Sequence, residues 1–449
     1  MNVVGIIAEY NPFHRGHEYQ ILKLREICHA DYIIIAMSGN FVQRGAPALM
    51  DKYSRTRMAL SCGADLVLEL PSLFATASAE YFSTGGVCLL NGAGVVTHLG
   101  FGAETENHQL LCALADLLSK EPEHYRENLR RELKTGASFP AARSAALRNY
   151  IATDMPSLLQ NYYTESASPD LQPSHAAFTE IEDILISPNN ILALEYLQAL
   201  ATSGSDIIPT PIRRKGNGYH DTTITQDFCS ASAIRSCLRE KLPCPQTVEQ
   251  THTANCPTKN GSFPIPETAM PKTAYDILNH YPHPFLFEDD LSALLHYELL
   301  TDDTDRLAAW GDSSQEIANR LSAEREHFTN WSGFCQHMKT KNITHARLSR
   351  LFTHMLLHIR QEDYRRFTAP AYLRVLGFRK SAAPLLSAIK SHSSLPLITN
   401  AADAERFLSP EAQQLWQFDM RSSDLYRLCL AAKGDYSIKN DYRQQIICL

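Results

Sequence analysis

Val3-Val4-Gly5-Ile6-Ile7-Ala8-Glu9-Tyr10-Asn11-Pro12-Phe13-His14-Arg15-Gly16-His17 decides the fold: an apolar run, a polar turn and the opening of a helical pattern follow one another directly. The run from Val3 to Ala8 is short and bounded by turn residues, and apolar residues then return at helical spacing from Tyr19 to Cys28. The same rhythm recurs downstream. Tyr32 to Met37, Leu66 to Leu70 and Val95 to Phe101 read as strands, and Lys52 to Cys62 reads as a helix. Ile33-Ile34-Ile35 and Leu66-Val67-Leu68 are continuous rather than alternating, as strands covered by helices on both faces require. The pattern predicts an α/β fold, a doubly wound, Rossmann-like parallel sheet, followed by a mainly α-helical domain. In such a sheet the ligand sits at the carboxyl ends of the strands, where strand order reverses. The loops Glu9 to Gly16, Ser38 to Asp51 and Gly100 to Glu104 are predicted to converge there.

Beyond the first hundred residues, helical patterns cover Leu110 to Leu118 and Ala141 to Ile151, and a polar excursion occupies Tyr162 to Ser174. Pro188-Asn189-Asn190-Ile191-Leu192 opens another helix, with Ser187 or Asn189 as its cap. Ile207 to Arg214 reads as a strand, Gly216-Asn217-Gly218 as a turn, and Ser230 to Arg235 as a helix start. Six prolines fall between Leu242 and Lys272. The domains are therefore expected at 1–240, with the excursion at about 160–180, and at 273–449, joined by a linker at 241–272.

No run of about 18 apolar residues occurs and the N-terminus carries no basic leader, which predicts a cytoplasmic protein without a membrane span. The 11 cysteines are scattered with no Cys-x-x-Cys pair, against a disulfide framework or a structural zinc site. Net charge is −7, yet Lys339 to Lys380 holds ten Lys or Arg against only Glu362 and Asp363. A cationic segment in an acidic chain is the footprint of a phosphate backbone. On a helix over Asn342 to Arg360, Leu348, Leu351, Phe352, Met355 and Ile359 would pack, while Arg347, Arg350, His354 and His358 share the adjacent face.

His14-Arg15-Gly16-His17 lies where a phosphate site is physically cheap, between a strand and a helix N-terminus whose amides favour an anion. Two imidazoles across a glycine can donate to oxygens that gain charge during attack at an α-phosphorus, and Gly16 lets a ligand come close. With 18 His and 20 Gly in 449 residues, about 0.03 His-x-Gly-His matches are expected by chance. Ser230-Ala231-Ser232-Ala233-Ile234-Arg235 could hold further phosphates through Ser232 and Arg235, or simply cap a helix.

These residues resemble the His-x-Gly-His nucleotidyltransferase superfamily. Met37-Ser38-Gly39-Asn40-Phe41-Val42-Gln43-Arg44-Gly45, Ala64-Asp65-Leu66-Val67-Leu68-Glu69-Leu70-Pro71, Phe101-Gly102-Ala103-Glu104, Gly218-Tyr219-His220-Asp221 and Tyr372-Leu373-Arg374-Val375-Leu376-Gly377-Phe378 narrow the likeness. They resemble the bacterial tRNA(Met) cytidine acetate ligase family over nearly the whole chain. The resemblance implies an enzyme that joins acetate and ATP into acetyl-adenylate with release of pyrophosphate. It then acetylates N4 of the wobble cytidine of elongator tRNA(Met). It implies His14 and His17 as catalytic residues and an ATP site made of Ile7-Ala8-Glu9-Tyr10-Asn11-Pro12-Phe13-His14-Arg15-Gly16-His17-Glu18-Tyr19-Gln20 with Gly102, Asn189 and Arg214. Asn190 and Arg213 are the alternatives for the last two. Mg²⁺ is expected as a helper on pyrophosphate, without a dedicated protein metal site. Arg347, Arg350, Arg365, Arg366, Arg374 and Lys380 are the candidate tRNA contacts. A cofactor adenylyltransferase and a non-catalytic RNA-binding module on a nucleotide-binding fold are the competing readings.

Overall fold

The computed structural model describes residues 1–136, 139–154, 175–214, 229–241 and 265–449. The polar excursion from Tyr162 to Ser174, the turn at Gly216-Asn217-Gly218, Tyr219-His220-Asp221 and positions 242–264 of the Pro-rich stretch lie outside these residues.

Eight strands form one sheet: β1 (Val3–Ala8), β2 (Tyr32–Ser38), β3 (Leu66–Leu70), β4 (His98–Ala103), β5 (Ile208–Arg213), β6 (Leu373–Phe378), β7 (Leu397–Ile398) and β8 (Ile447–Cys448). The spatial order is β8-β6-β3-β2-β1-β4-β5, with β7 also on β6. Every pairing is parallel except β3 with β6. Strand order reverses at β1, which has β2 on one side and β4 on the other. The α/β sheet read from the sequence is therefore present.

Alternation along each strand explains the two covered faces. Val4, Ile6, Ile33, Ile35 and Val67 point to one side, into a core with Ile21 and Leu24 of α1 (Arg15–Ile27) and Met58 of α2 (Lys52–Ser61). Ile7, Ile34, Ala36, Leu66 and Leu68 point to the other, against Val87 and Leu90 of α3 (Ala79–Gly92) and Leu194 of α4 (Pro188–Thr202). Both faces are buried, so neither can be polar. Helices His108–Lys120, Glu123–Lys134, Phe139–Asp154 and His175–Ile186 lie between β4 and α4 in the chain. No described helix is long and apolar enough to cross a membrane.

One expectation differs. The fourth strand begins at His98 rather than Val95 and runs through Ala103, because Gly100 to Ala103 pair with Thr210 to Arg213 on β5. The loop beyond it starts at Glu104. The C-terminal part is mainly helical, and its strands β6, β7 and β8 extend the sheet itself.

Candidate active site

A cavity of about 710 Å³ opens at the carboxyl ends of β1 and β4. The amino-terminal ends of α1 and α5 (Ala231–Lys241) line it, as does α6 (His345–Leu357). Helix α1 starts after His14, whose backbone is extended and whose Nδ1 accepts the Gly16 N–H at 3.1 Å. His17 Nδ1 accepts the His14 N–H at 3.2 Å. With both Nδ1 atoms accepting, each neutral ring carries its proton on Nε2. Burial first, and the Arg214 and Arg235 charges second, lower the His14 pKa to about 3. Burial, then His14 and Arg214, hold His17 well below the ordinary imidazole value. Two neutral Nε2–H donors therefore face one cavity. Tyr10 and Phe13 pack behind His17, with ring centroids at 4.7 and 5.4 Å.

Gly16 leaves room for the His14 ring. A Cβ there would come within 2.9 Å of His14 Cε1.

Of the segment Ile7 to Gln20, the cavity wall takes Ile7, Ala8, Glu9, Tyr10, Asn11, His14, His17 and Gln20. Pro12, Phe13, Arg15, Gly16, Glu18 and Tyr19 do not line it. Phe13 is buried in the core, and Arg15 Nε donates to Thr268 O at 2.5 Å. Gly102, Asn189, Arg214, Ser232 and Arg235 all line the cavity. The neighbouring alternatives are engaged elsewhere. Asn190 Oδ1 accepts the Glu104 and Thr105 N–H groups at 2.8 and 3.3 Å, and Arg213 is ion-paired with exposed Glu106. Asn189 and Ser187 both donate to the Glu104 carboxylate. Arg235 Nη1 donates to Asn11 O at 2.6 Å and Nη2 to Ser232 Oγ at 3.2 Å, while Ser230 Oγ caps α5 by accepting the Ala233 N–H at 3.0 Å. One serine caps and the other braces the guanidinium. Burial works against the charge on Arg214 and on Arg235, and Glu104 and Glu9 respectively support it.

Sequence reasoning did not place α6 at this cavity. His345, Ser349 and Arg350 line it, as do Gln43 and Arg44 from the turn between the short strands Phe41–Val42 and Ala46–Pro47. Arg350 pairs with Asp312 through Nε and Nη2 at 2.8 and 2.9 Å, and Arg347 Nε donates to Asp312 O at 2.9 Å. Both arginines of this face of α6 therefore have a partner on Asp312. His354 is fully buried and shares its Nε2 with Thr76 O and the Tyr364 hydroxyl at 3.0 and 3.1 Å. Only a tertiary fold could reveal this.

Arg374 is a correction. It lies on β6 in the interior, with Nη1 2.9 Å from Glu69 and Nη2 2.8 Å from Asp441, and Lys52 completes the cluster at 2.8 and 2.6 Å from the same two carboxylates. Its carboxylate partners, not nucleic acid, balance its charge. Arg365, Arg366 and Lys380 are exposed.

Among the described residues, the group of His, Cys, Asp or Glu side chains close enough to share a metal ion is Glu324, His327 and His337, none of which lines the cavity. The described part of the cavity wall offers no such cluster for a resident ion.

The family model for HIGH nucleotidyl transferases matches residues 1–441. The tRNA(Met) cytidine acetate ligase of Acetivibrio thermocellus is 33% identical over the full length of both chains, and that of Halothermothrix orenii is 35% identical over 95% of each. The crystal structure of apo Thermotoga maritima TmcAL superposes with a TM-score of 0.85 at 28% identity over the full length of both chains. The same protein bound with alpha-thio ATP gives 0.82. The chain belongs to the tRNA(Met) cytidine acetate ligase family, ATP-dependent ligases on a nucleotidyltransferase fold.

Proposed function

We propose that the cavity binds ATP with its triphosphate against the amino-terminal end of α1, activates acetate as acetyl-adenylate, and passes the acetyl group to N4 of the wobble cytidine of elongator tRNA(Met). The observation that carries this reading is the pair of neutral imidazoles with both Nε2 protons available beside Arg214 and Arg235.

An acetate oxygen attacks the α-phosphorus, the bond to the oxygen bridging the α- and β-phosphates breaks, and pyrophosphate leaves with the electron pair. Acetate is already an anion, so the step needs no general base. It needs in-line placement and donors for the charge that builds on phosphate oxygens. His14, His17, Arg214 and Arg235 are those donors, with Asn189 and Gly102 on the adjoining wall. In the second step N4 attacks the acetyl carbonyl, the bond to the AMP phosphate oxygen breaks with its electron pair leaving on AMP, and the proton lost by N4 passes to solvent. A wobble base lies in a single-stranded loop, so it can be turned into a pocket without breaking a pair. Exposed Arg365, Arg366 and Lys380 are the cations proposed for the tRNA backbone. Mg²⁺ would arrive on the triphosphate as part of the substrate.

Acetate-dependent exchange of labelled pyrophosphate into ATP tests the first step. Exchange supported by a phosphate ester but not by acetate would replace this reading with that of a cofactor adenylyltransferase.

A further inference from the structure

Activating a carboxylate with ATP brings two anions into contact. A carboxylate oxygen must approach a phosphorus that carries charged oxygens, and like charges at that separation repel strongly once water is excluded. Arg214 and Arg235 reach the cavity from the β5 and α5 side, next to the imidazoles, where a triphosphate takes up their charge. The second anion needs a cation on the other side of β1.

Arg44 meets that requirement. It lines the cavity from the turn after β2, on the opposite flank of β1, and is half-buried. Its backbone is held from both directions. Glu9 Oε1 accepts the Gln43 N–H at 2.8 Å, and Ser349 Oγ donates to Gly45 O at 2.5 Å. Gly45 has φ +70°, and a Cβ there would lie 2.3 Å from Arg350 N, so α6 packs directly on the turn. A residue fixed between two such anchors presents its side chain without paying for loop ordering on binding. Burial works against the Arg44 charge and Glu9 supports it, and that charge is felt at Arg235 and His345 across the same cavity. Val42, Ala46 and Pro47 give the adjoining wall an apolar lining suited to a methyl group.

We propose that Arg44 holds the carboxylate of the acid substrate, making the tip of this hairpin the acetate subsite. The inference rests on the proposed function and names the residue that its first step leaves unassigned.

The test is pyrophosphate exchange by the full chain and its Arg44→Gln and Arg44→Lys variants over a range of acetate concentrations, with the Kd for ATP measured by calorimetry. Arg44→Gln is expected to raise the KM for acetate by about tenfold to a hundredfold, the effect of removing one charge-assisted hydrogen bond. The Kd for ATP should stay as in the parent, and Arg44→Lys should recover part of the loss. An unchanged acetate KM overturns the assignment, and so does an ATP Kd weakened as much as the acetate KM. If Arg44→Gln fails to melt cooperatively, Arg44→Lys decides, since a subsite guanidinium replaced by a point charge must still raise the acetate KM. Absence of acetate-dependent exchange in the parent overturns the proposed function itself, which is a separate failure.

Discussion

The imidazoles of His14 and His17 stack with 3.7 Å between ring centroids and 26° between planes, each with a backbone N–H on its Nδ1. One nitrogen of each ring builds the helix start and the other is left for the ligand. The two roles can be separated. An asparagine at position 14 keeps an oxygen to accept the Gly16 N–H but is too short to place a donor where Nε2 stands. His14→Asn is expected to melt close to the parent while losing about 10²- to 10³-fold in acetate-dependent exchange, the cost of removing one donor from developing charge. His14→Ala should lose the cap as well, about 1 kcal/mol of stability by denaturant titration. Parent-like exchange in the asparagine variant would reduce His14 to a capping residue.

Neutral imidazoles set the pH response. The unfolded chain protonates position 14 near pH 6.5, whereas the folded chain does so only at about pH 3. The unfolded state therefore binds more protons within that window, and stability rises with pH across it. The His14 contribution is complete above pH 6.5 and is lost as pH falls towards 3; His17 acts in the same direction. A triphosphate against the rings favours their charged forms, so ATP should raise the pH at which His14 protonates above about 3. Histidine ring resonances followed by NMR against pH, with and without ATP, read that shift directly. An unchanged titration of both rings would contradict their assignment to the phosphates.

How far the sequence could be read depended on whether a feature was local. The β1 turn and α1 are contiguous in the chain, so the strand, the helix start and both histidines are visible in one stretch. Asn189 and Arg214 rest on resemblance in the sequence; in the fold both line the cavity, whereas Asn190 holds the Glu104 backbone and Arg213 pairs with Glu106, contacts that periodicity does not reveal. Arg374 stands in the sequence among other cations, and nothing local marks it as interior. Glu69, about three hundred residues earlier, is one of the partners that neutralise it. The place of α6 over the cavity is illegible for the same reason: Ser349 and Gly45 are 304 residues apart in the chain and meet only in the tertiary structure.

Gly16→Ala opposes a backbone gain to a steric loss. Alanine inside a helix is favoured over glycine by about 1 kcal/mol, so propensity alone predicts a more stable protein. The new Cβ, however, would lie 2.9 Å from His14 Cε1 and 3.1 Å from Nδ1. The ring must turn out of its stack, taking the cap and the Nε2 donor with it. The expected result is a melting temperature close to that of the parent with exchange reduced at least about tenfold, since the donor is displaced rather than removed. Full exchange in this variant would show that the site tolerates a ring in another position.

Charge removal at Arg374 and at Arg365 with Arg366 should produce opposite phenotypes, although all three belong to one cationic segment. Arg374 is buried between Glu69 and Asp441, and its loss leaves two interior carboxylates with Lys52 alone. Breaking such a cluster costs about 3–5 kcal/mol, so Arg374→Ala should unfold at much lower denaturant concentration. Arg365 and Arg366 are exposed, and of the two Arg366 has a carboxylate, Glu411, at 3.7 Å. Surface pairs of that kind contribute about 0–1 kcal/mol, so Arg365→Glu with Arg366→Glu should leave stability almost unchanged. If these two meet the tRNA backbone, the double variant weakens tRNA binding and lowers the salt dependence by about 0.7–0.9 for each phosphate that the two side chains no longer neutralise. Filter binding over a range of salt concentrations reads both quantities. Unaltered affinity and slope would remove Arg365 and Arg366 from the tRNA surface.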